Sequence, residues 1–235
     1  MQRLVSVIIP NHGRDISKVI NAVKSSTYPH IEIIVVDEGK ERSVQRNIGI
    51  ERATGEYLLF LDSDMVISPD LILDCVRLIK RCNGIYLREK IVTPGLFAKI
   101  RHWERQFYTG SLIDVVRFVK KEHCPLFDET LIGPEDSDWE RKIPEPKLVT
   151  DKWYEHHEDV NMWQFFKKKA YYAKSLMRYK RKNPNDKVLD FKYRCFTVFT
   201  ENGKWKNLFH PYVFGVIFIM LIRSIIYVTA ISKRS

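Results

Sequence analysis

The sequence predicts an α/β fold: an open sheet flanked by helices, with attachments at its C-terminal end. Three observations carry that expectation. Residues 4–61 alternate strand-like and helix-like patterns in the order β–α–β–α–β, which implies parallel pairing through right-handed crossovers. The third strand-like run ends in Asp62-Ser63-Asp64, at the carboxyl edge where open α/β sheets bind ligands. Residues 212–231 are almost wholly apolar and long enough to cross a bilayer. At 235 residues the chain makes one medium domain plus attachments, or two small domains.

The elements follow in order. Leu4 to Pro10 is an apolar run that reads as a buried strand ended by Pro10, and Asn11-His12-Gly13-Arg14-Asp15 is a loop. A helix over 15–26 places Ile16, Val19, Ile20 and Val23 on one face, and Tyr28-Pro29 breaks it. Ile31 to Val36 is a second strand, closed by Asp37-Glu38-Gly39, and a short helix over 41–53 stops before Gly55. Tyr57 to Leu61 is the third strand. Pro69 opens a helix over 69–82 with Leu71, Ile72, Cys75, Val76, Leu78 and Ile79 on its apolar side. Residues 84–94 read as one or two strands, 96–110 as a helix of mixed charge, and Val115–Val119 as a further strand. Pro134, with acids just behind it, marks a helix N-terminus. A short strand over 147–150 leads to Trp153-Tyr154-Glu155-His156-His157. Residues 161–182 read as one amphipathic helix, ended by Asn183-Pro184-Asn185, and 186–209 interleaves aromatic with basic residues.

Charge narrows the possible partners. The formal net charge is +10, and it is uneven. Between 161 and 182 there are eight Lys and Arg residues and no acid, a block that suits an anionic membrane surface or nucleic acid. Four scattered cysteines lack C-x-x-C spacing and support neither a zinc site nor a disulfide framework, so a reducing compartment is expected. Met1-Gln2-Arg3 runs straight into the first strand without a signal-peptide pattern. Within the C-terminal apolar run Arg223 is costly at mid-span. It snorkels, faces a partner or pairs with a lipid phosphate, and the alternative to spanning is a helix lying in the interface.

The chemistry is expected at Asp62 and Asp64. Positions i and i+2 of a strand point to the same side, so two carboxylates converge if the strand frays there. Such a pair suits Mg²⁺ or Mn²⁺ shared with substrate phosphates; the plainer alternative is a solvated turn. No G-x-G-x-x-G and no G-x-x-x-x-G-K-[ST] occurs, so neither a dinucleotide fingerprint nor a P-loop is present.

Several segments in order resemble the inverting family-two glycosyltransferases of GT-A fold. They are Ser6-Val7-Ile8-Ile9-Pro10-Asn11-His12, then Ile34-Val35-Val36-Asp37-Glu38-Gly39, then Gln45-Arg46-Asn47-Ile48-Gly49. Ala53-Thr54-Gly55-Glu56-Tyr57 leads into Asp62-Ser63-Asp64, and Phe127-Asp128-Glu129 precedes Gly133-Pro134-Glu135-Asp136-Ser137-Asp138. The resemblance covers about residues 1–180. Gln164-Phe165-Phe166-Lys167-Lys168 resembles the Q-x-x-R-W of cellulose-synthase-like enzymes, with lysine at the arginine and tryptophan positions. Other departures are Glu38, where the family usually has Asp-Asp-Gly-Ser, and Cys124-Pro125-Leu126, where it often has two glycines.

The resemblance implies a GT-A, Rossmann-like mixed sheet, a GDP- or UDP-sugar donor, and Mn²⁺ or Mg²⁺. Asp64 would hold the metal, with Asp62 reaching the ribose or a metal-bound water. One of His156 and His157 would add a ligand or touch the diphosphate, since adjacent residues on a strand point apart. Asp37 and Glu38 would read base and ribose, Pro10, Asn11 and Arg14 would line the nucleotide cleft, and Arg46 would contact phosphate. Asp136 is the expected general base, Glu135 the acceptor contact, and Asp138 a structural acid. The expected layout is a catalytic domain at 1–155, amphipathic interface helices at 156–209 and a transmembrane helix with a basic tail at 210–235. Lys204, Lys206 and the basic domain outweigh Lys233 and Arg234, which predicts a cytoplasmic catalytic domain on the cell membrane. The expected acceptor is a lipid-linked glycan or lipid, with no nucleic acid. The alternatives are a nucleotidyltransferase acting on sugar phosphates, for which Asn11-His12-Gly13-Arg14 is a poor phosphate loop, and a basic nucleic-acid-binding protein.

Overall fold

The computed structural model describes residues 3–157 and 161–232. Seven strands form one mixed sheet in the order β2-β1-β3-β6-β5-β7-β4. β1 (Val5–Pro10), β2 (Ile31–Val36) and β3 (Tyr57–Phe60) pair in parallel, as the alternation of elements predicts. β6 (Val116–Lys120) runs antiparallel to β3 and to β5 (Gly84–Ile91), β5 is parallel to β7 (Lys147–His156), and β4 (Met65–Ile67) closes the edge antiparallel to β7. The central strands are buried on both faces. Val5, Val7 and Ile9 of β1 join one apolar cluster with α1 (Ser17–Lys24) and α3 (Leu71–Leu78), while Ile8 joins another. β3 alternates likewise, Tyr57 and Leu59 one way, Leu58 and Phe60 the other. This period of two explains why the runs read as continuous apolar segments rather than alternating ones.

The second face holds α2 (Arg42–Arg52) and α5 (Glu135–Arg141). Gly49 has no Cβ because Ile8 of β1 lies where one would sit, so α2 is seated directly on the sheet. Phe127 stacks on Trp139 at 4.7 Å, and Asn47 anchors it by accepting from Phe127 N (2.8 Å) and donating to its carbonyl (3.1 Å). The Gln45–Gly49 and Phe127–Glu129 segments are thus one packing unit.

Two strands extend the sequence expectation. β4 follows directly on the Asp62-Ser63-Asp64 turn, where three residues are too few to show a period. β7 runs ten residues to His156 instead of stopping at 150, because polar Thr150-Asp151-Lys152 interrupts the apolar pattern while the strand continues past a register shift opposite β5.

The basic stretch is two helices, α6 (Met162–Tyr172) and α7 (Leu176–Lys182), joined by a 3₁₀ turn at Ala173–Ser175. Gln164 closes a capping box with Asn161 at the start of α6. The Ser175 hydroxyl bonds both the N–H and the carbonyl of Ile132, at 2.8 and 2.7 Å, which docks the turn on the loop before α5. In that loop Gly133 has φ +102° and faces Tyr172, leaving no room for a Cβ. Gly133→Ala combines a left-handed backbone with that clash. The expected destabilisation is about 1–3 kcal/mol, read as a lower denaturation midpoint of the full chain; an unchanged midpoint would show that the two segments separate easily.

The remaining segments pack on α4 (Leu96–Tyr108). Residues 186–209 form short turns around α8 (Val198–Thr200), and Tyr193, Val198 and Phe199 bury against Trp103, Phe107 and Tyr108. α9 (Tyr212–Ser232) is long and apolar enough to cross a membrane by length and composition, with mean hydropathy 2.1 over Tyr212–Thr229. One side packs on α4 and α6 through Val216 and Ile219. Arg223 faces this same side: its Nη2 lies 3.3 Å from Glu104 Oε2, and Nη1 donates to the other oxygen. Its partner is therefore a carboxylate of its own chain. The opposite side exposes Phe214, Phe218, Leu221, Ile225 and Val228. Lys233 and Arg234 lie outside the described residues.

Candidate functional site

A cleft of ≈ 760 Å³ opens at the carboxyl ends of β1 and β3. The end of β1 supplies Pro10 and Asn11, whose carbonyl accepts from Gln45 Nε2 of α2. Asn11 donates to Asp37 Oδ1 at 2.8 Å and accepts from the Arg14 N–H at 3.1 Å, so one amide shapes the loop. The turn between β3 and β4 supplies Asp62 and Asp64, and both line the cleft.

The two acids have different partners. Asp62 Oδ1 accepts from Arg46 Nη2 (3.1 Å) and Oδ2 from Arg117 Nη1 (3.4 Å). Burial opposes its charge, but Arg117, Arg46 and Arg42 outweigh burial and hold the carboxyl far below the usual range. Asp64 lies 3.5 Å from Arg14 and 3.4 Å from His156 Nε2. Burial opposes ionisation there too, and His156 overcomes it. Pairing of β4 with β7 makes this contact: Met65 stands opposite His156, and the Asp64 carbonyl accepts from the His157 N–H at 2.9 Å. His156 turns inward, with Nδ1 2.6 Å from Glu89 Oε1, while His157 turns out toward Glu155. Of the two histidines, His156 is the one the fold brings to the acids.

Burial disfavours the His156 cation, yet Asp64 and Glu89 raise its pKa to about 9. The folded value lies above the ordinary 6.5, so this stabilisation is complete below pH 6.5 and is lost as pH rises through 9. Metal-free full chain should therefore lose about 1–3 kcal/mol of stability between these limits, a loss that His156→Gln removes. Parallel melting curves of the two proteins against pH would refute the pairing.

α2 joins the two sides of the cleft. Arg46 is 1% exposed and donates to both Asp62 and Asp136 Oδ1. Against the effect of burial, Arg46, Arg42 and Arg117 keep Asp136 ionised, with its pKa lowered. Glu135 differs: burial, then the Asp136 charge, raise its pKa, although Arg42 lies 3.1 Å from Oε1. Arg42 also donates to Tyr172 of α6 at 3.1 Å. Asp138 is 2% exposed and bound to Lys142, Lys182 and Asn183, the structural acid expected.

Three expected nucleotide contacts fall outside the cleft lining: Arg46 is buried between Asp62 and Asp136, and two others lie at the surface. Glu38 is exposed and paired with Arg52 at 2.7 Å, and Asp37 is exposed beside Asn11. Arg42, Glu89, Arg117 and Lys169 were not foreseen, although Arg117 is a lone charge inside an apolar strand, a visible signal. α6, expected at a membrane surface, lends Lys167, Lys168, Lys169 and Tyr171 to the cleft wall.

For a divalent cation the donor set is uneven. Asp64 Oδ1 is buried without a hydrogen-bond partner, and His156 Nε2 is near, whereas both Asp62 oxygens already hold arginines. Among the described residues, no three His, Cys, Asp or Glu side chains converge as a ready metal cage. The residues fit a cation held mainly by Asp64, with substrate oxygens completing its shell.

Residues 38–124 match the profile of Glycosyl transferase family 2. An uncharacterized glycosyltransferase of Rickettsia felis is 27% identical over 160 residues, covering 55% of this chain and 25% of its own. The amylovoran biosynthesis glycosyltransferase AmsB of Erwinia amylovora is 32% identical over 103 residues, covering 40% of this chain and 34% of its own. The chain thus spans a quarter to a third of these relatives' length. In fold it is similar to the mannosyltransferase PcManGT of Pyrobaculum calidifontis, solved with GDP-Man and Mn²⁺, at TM-score 0.68 and 14% identity, covering 100% of this chain and 89% of that one. TarS of S. aureus follows at TM-score 0.53 and 14% identity, covering 87% and 77%. The profile match over 38–124, the glycosyltransferase relatives and the mixed sheet of GT-A type all agree in what this chain resembles.

Proposed function

We propose that the chain is a membrane-attached, metal-assisted, inverting glycosyltransferase. It moves a hexose, such as mannose or glucose, from a GDP- or UDP-sugar to a lipid-linked glycan or lipid acceptor. The observation that carries this reading is the single cleft in which Asp62 and Asp64 face Asp136 across Arg46. The nucleotide sugar is placed on the Asp64 side, where Arg14, Lys40, Arg42, Lys167 and Lys168 surround the diphosphate with positive charge. Asp64 would hold a divalent cation, which would supply Lewis-acid neutralisation of the leaving diphosphate.

The chain's own residues do the rest. Asp136 accepts the proton of the acceptor hydroxyl as its oxygen bonds to the anomeric carbon and the bond to the diphosphate breaks. One base and one direct displacement invert the centre. In the resting pair Arg46 keeps Asp136 a weak base. A diphosphate entering beside Asp62 brings negative charge near Asp136, which raises the basicity of Asp136. Glu135, enclosed behind it, positions an acceptor hydroxyl.

Membrane attachment rests on the exposed side of α9 and the basic, aromatic stretch before it, with the catalytic domain cytoplasmic. The test is a panel of nucleotide sugars with Mn²⁺ or Mg²⁺, scored for release of the nucleoside diphosphate by full-length protein in detergent. Release from one GDP- or UDP-hexose is the expected result; release from none, with the protein folded, would end this reading.

A further inference from the structure

Behind the cleft the interior continues. A throat of ≈ 220 Å³ shares Arg101, Asp136 and Lys169 with the cleft. Farther on, Tyr108, Arg194 and Arg223 are shared with an outer chamber of ≈ 480 Å³. The three spaces thus adjoin through shared lining residues, with the outer chamber beside α9.

Besides Asp114 and Asp136, the throat is lined by arginines and a lysine, which outnumber the acids and are only partly matched. Arg101 and Arg223 share Glu104, and Arg105 has Glu89. Arg101 and Arg223 are 7% and 9% exposed, and the Nε of each is buried without a hydrogen-bond partner. Lys169 has no carboxylate partner among the described residues, and its ammonium lies 5.4 and 5.8 Å from the ring centres of Phe165 and Tyr172. Arg194 donates to the Val188 carbonyl (2.8 Å) and likewise has no carboxylate partner among the described residues. Burial, then Arg223, Arg101, Arg194 and Arg105, push the Lys169 pKa well below the usual ammonium range. Such a cluster stands ready for an anion with several acceptor oxygens. The outer chamber has a different character: Leu176, Leu189, Phe191, Met220 and Tyr227 line it, with Lys180, Lys187, Asp186 and Asp190 also in its wall.

We infer that the throat and outer chamber are the acceptor subsite, and that the acceptor is an amphiphile with a phosphate-type head. Its phosphate sits among Lys169, Arg194 and the inner faces of Arg101 and Arg223. Its apolar chain lies in the outer chamber and leaves beside α9, and its hydroxyl-bearing end reaches Asp136, which lines both throat and cleft. This deepens the proposed transfer reaction and rests on it for the role of Asp136; the binding claim itself does not.

The test uses full-length protein in detergent and three probes: octyl phosphate, octanol and inorganic phosphate. Wild-type protein should bind octyl phosphate about tenfold or more tightly than either other probe, since a hydrogen-bonded charge and a buried chain each add at least that much. Lys169→Met and Arg194→Met should each weaken octyl phosphate about tenfold and leave octanol unchanged, and Lys169→Arg should restore most of the loss. Octanol binding as tightly as octyl phosphate would overturn the anionic throat; inorganic phosphate binding as tightly would overturn the chain chamber. These wild-type comparisons decide even if a variant fails to fold. Mn²⁺-dependent binding of GDP and UDP is measured on the same protein. Its absence counts against the donor reading alone, and failure of the octyl phosphate comparison counts against the acceptor subsite alone.

Discussion

Asp136→Asn should lower sugar transfer by about 10²–10⁴-fold, the usual contribution of a general base, while nucleotide-sugar binding stays close to the wild type. Asparagine keeps the shape and the place at the start of α5 but cannot take a proton. The donor is held by other groups, around Asp64, Arg14 and the lysines of α6, so its affinity should not fall. The measurement is single-turnover transfer beside a separate donor titration. Near-normal turnover would remove Asp136 from its role. Glu135→Gln makes the contrast: that carboxyl is 2% exposed and faces Arg42, so its loss should raise the acceptor KM more than it lowers kcat.

The second large effect is at Asp64. Asp64→Ala removes the carboxylate oxygen that is buried and without a hydrogen bond, the atom best placed to meet a cation. Charge neutralisation by a bound cation amounts to several kcal/mol, so the metal-dependent part of donor affinity, on the order of 10²-fold, should vanish. Titration of the nucleoside diphosphate with and without Mn²⁺ reads this directly, and an unchanged Mn²⁺ dependence in the variant would refute the assignment. Asp62→Asn should act differently. Both Asp62 oxygens hold arginines, so its loss frees Arg46 and Arg117 and disturbs the whole cleft floor rather than the cation alone.

The two halves of the site meet through groups far apart in the chain. Arg46 holds Asp62 and Asp136 together, and Arg42 ties Glu135 to Tyr172. A helix that reads by composition as a membrane-surface element therefore also walls the cleft. Its position depends on Gly133, which gives Tyr172 room to pack against the loop before α5.

The residue pattern alone determined the β–α–β–α–β opening, the strand end that bears Asp62 and Asp64, the helix start that bears Asp136, and the apolar C-terminal helix. Each depends on near neighbours in the chain: apolar periodicity, Pro and Gly breaks, and the one-residue spacing of the acid pair. Only the tertiary structure decided which of two histidines faces the acids, because that follows from the register of β4 against β7 across some ninety residues. It alone showed that Glu38 leaves the cleft for Arg52, and that Arg223 turns to Glu104. A charged side chain settles with whichever opposite charge the fold brings near, and in a partly buried setting that choice is worth more than any local preference. Strand order, helix docking and the partners of buried charges are properties of the packed chain, and no window of sequence contains them.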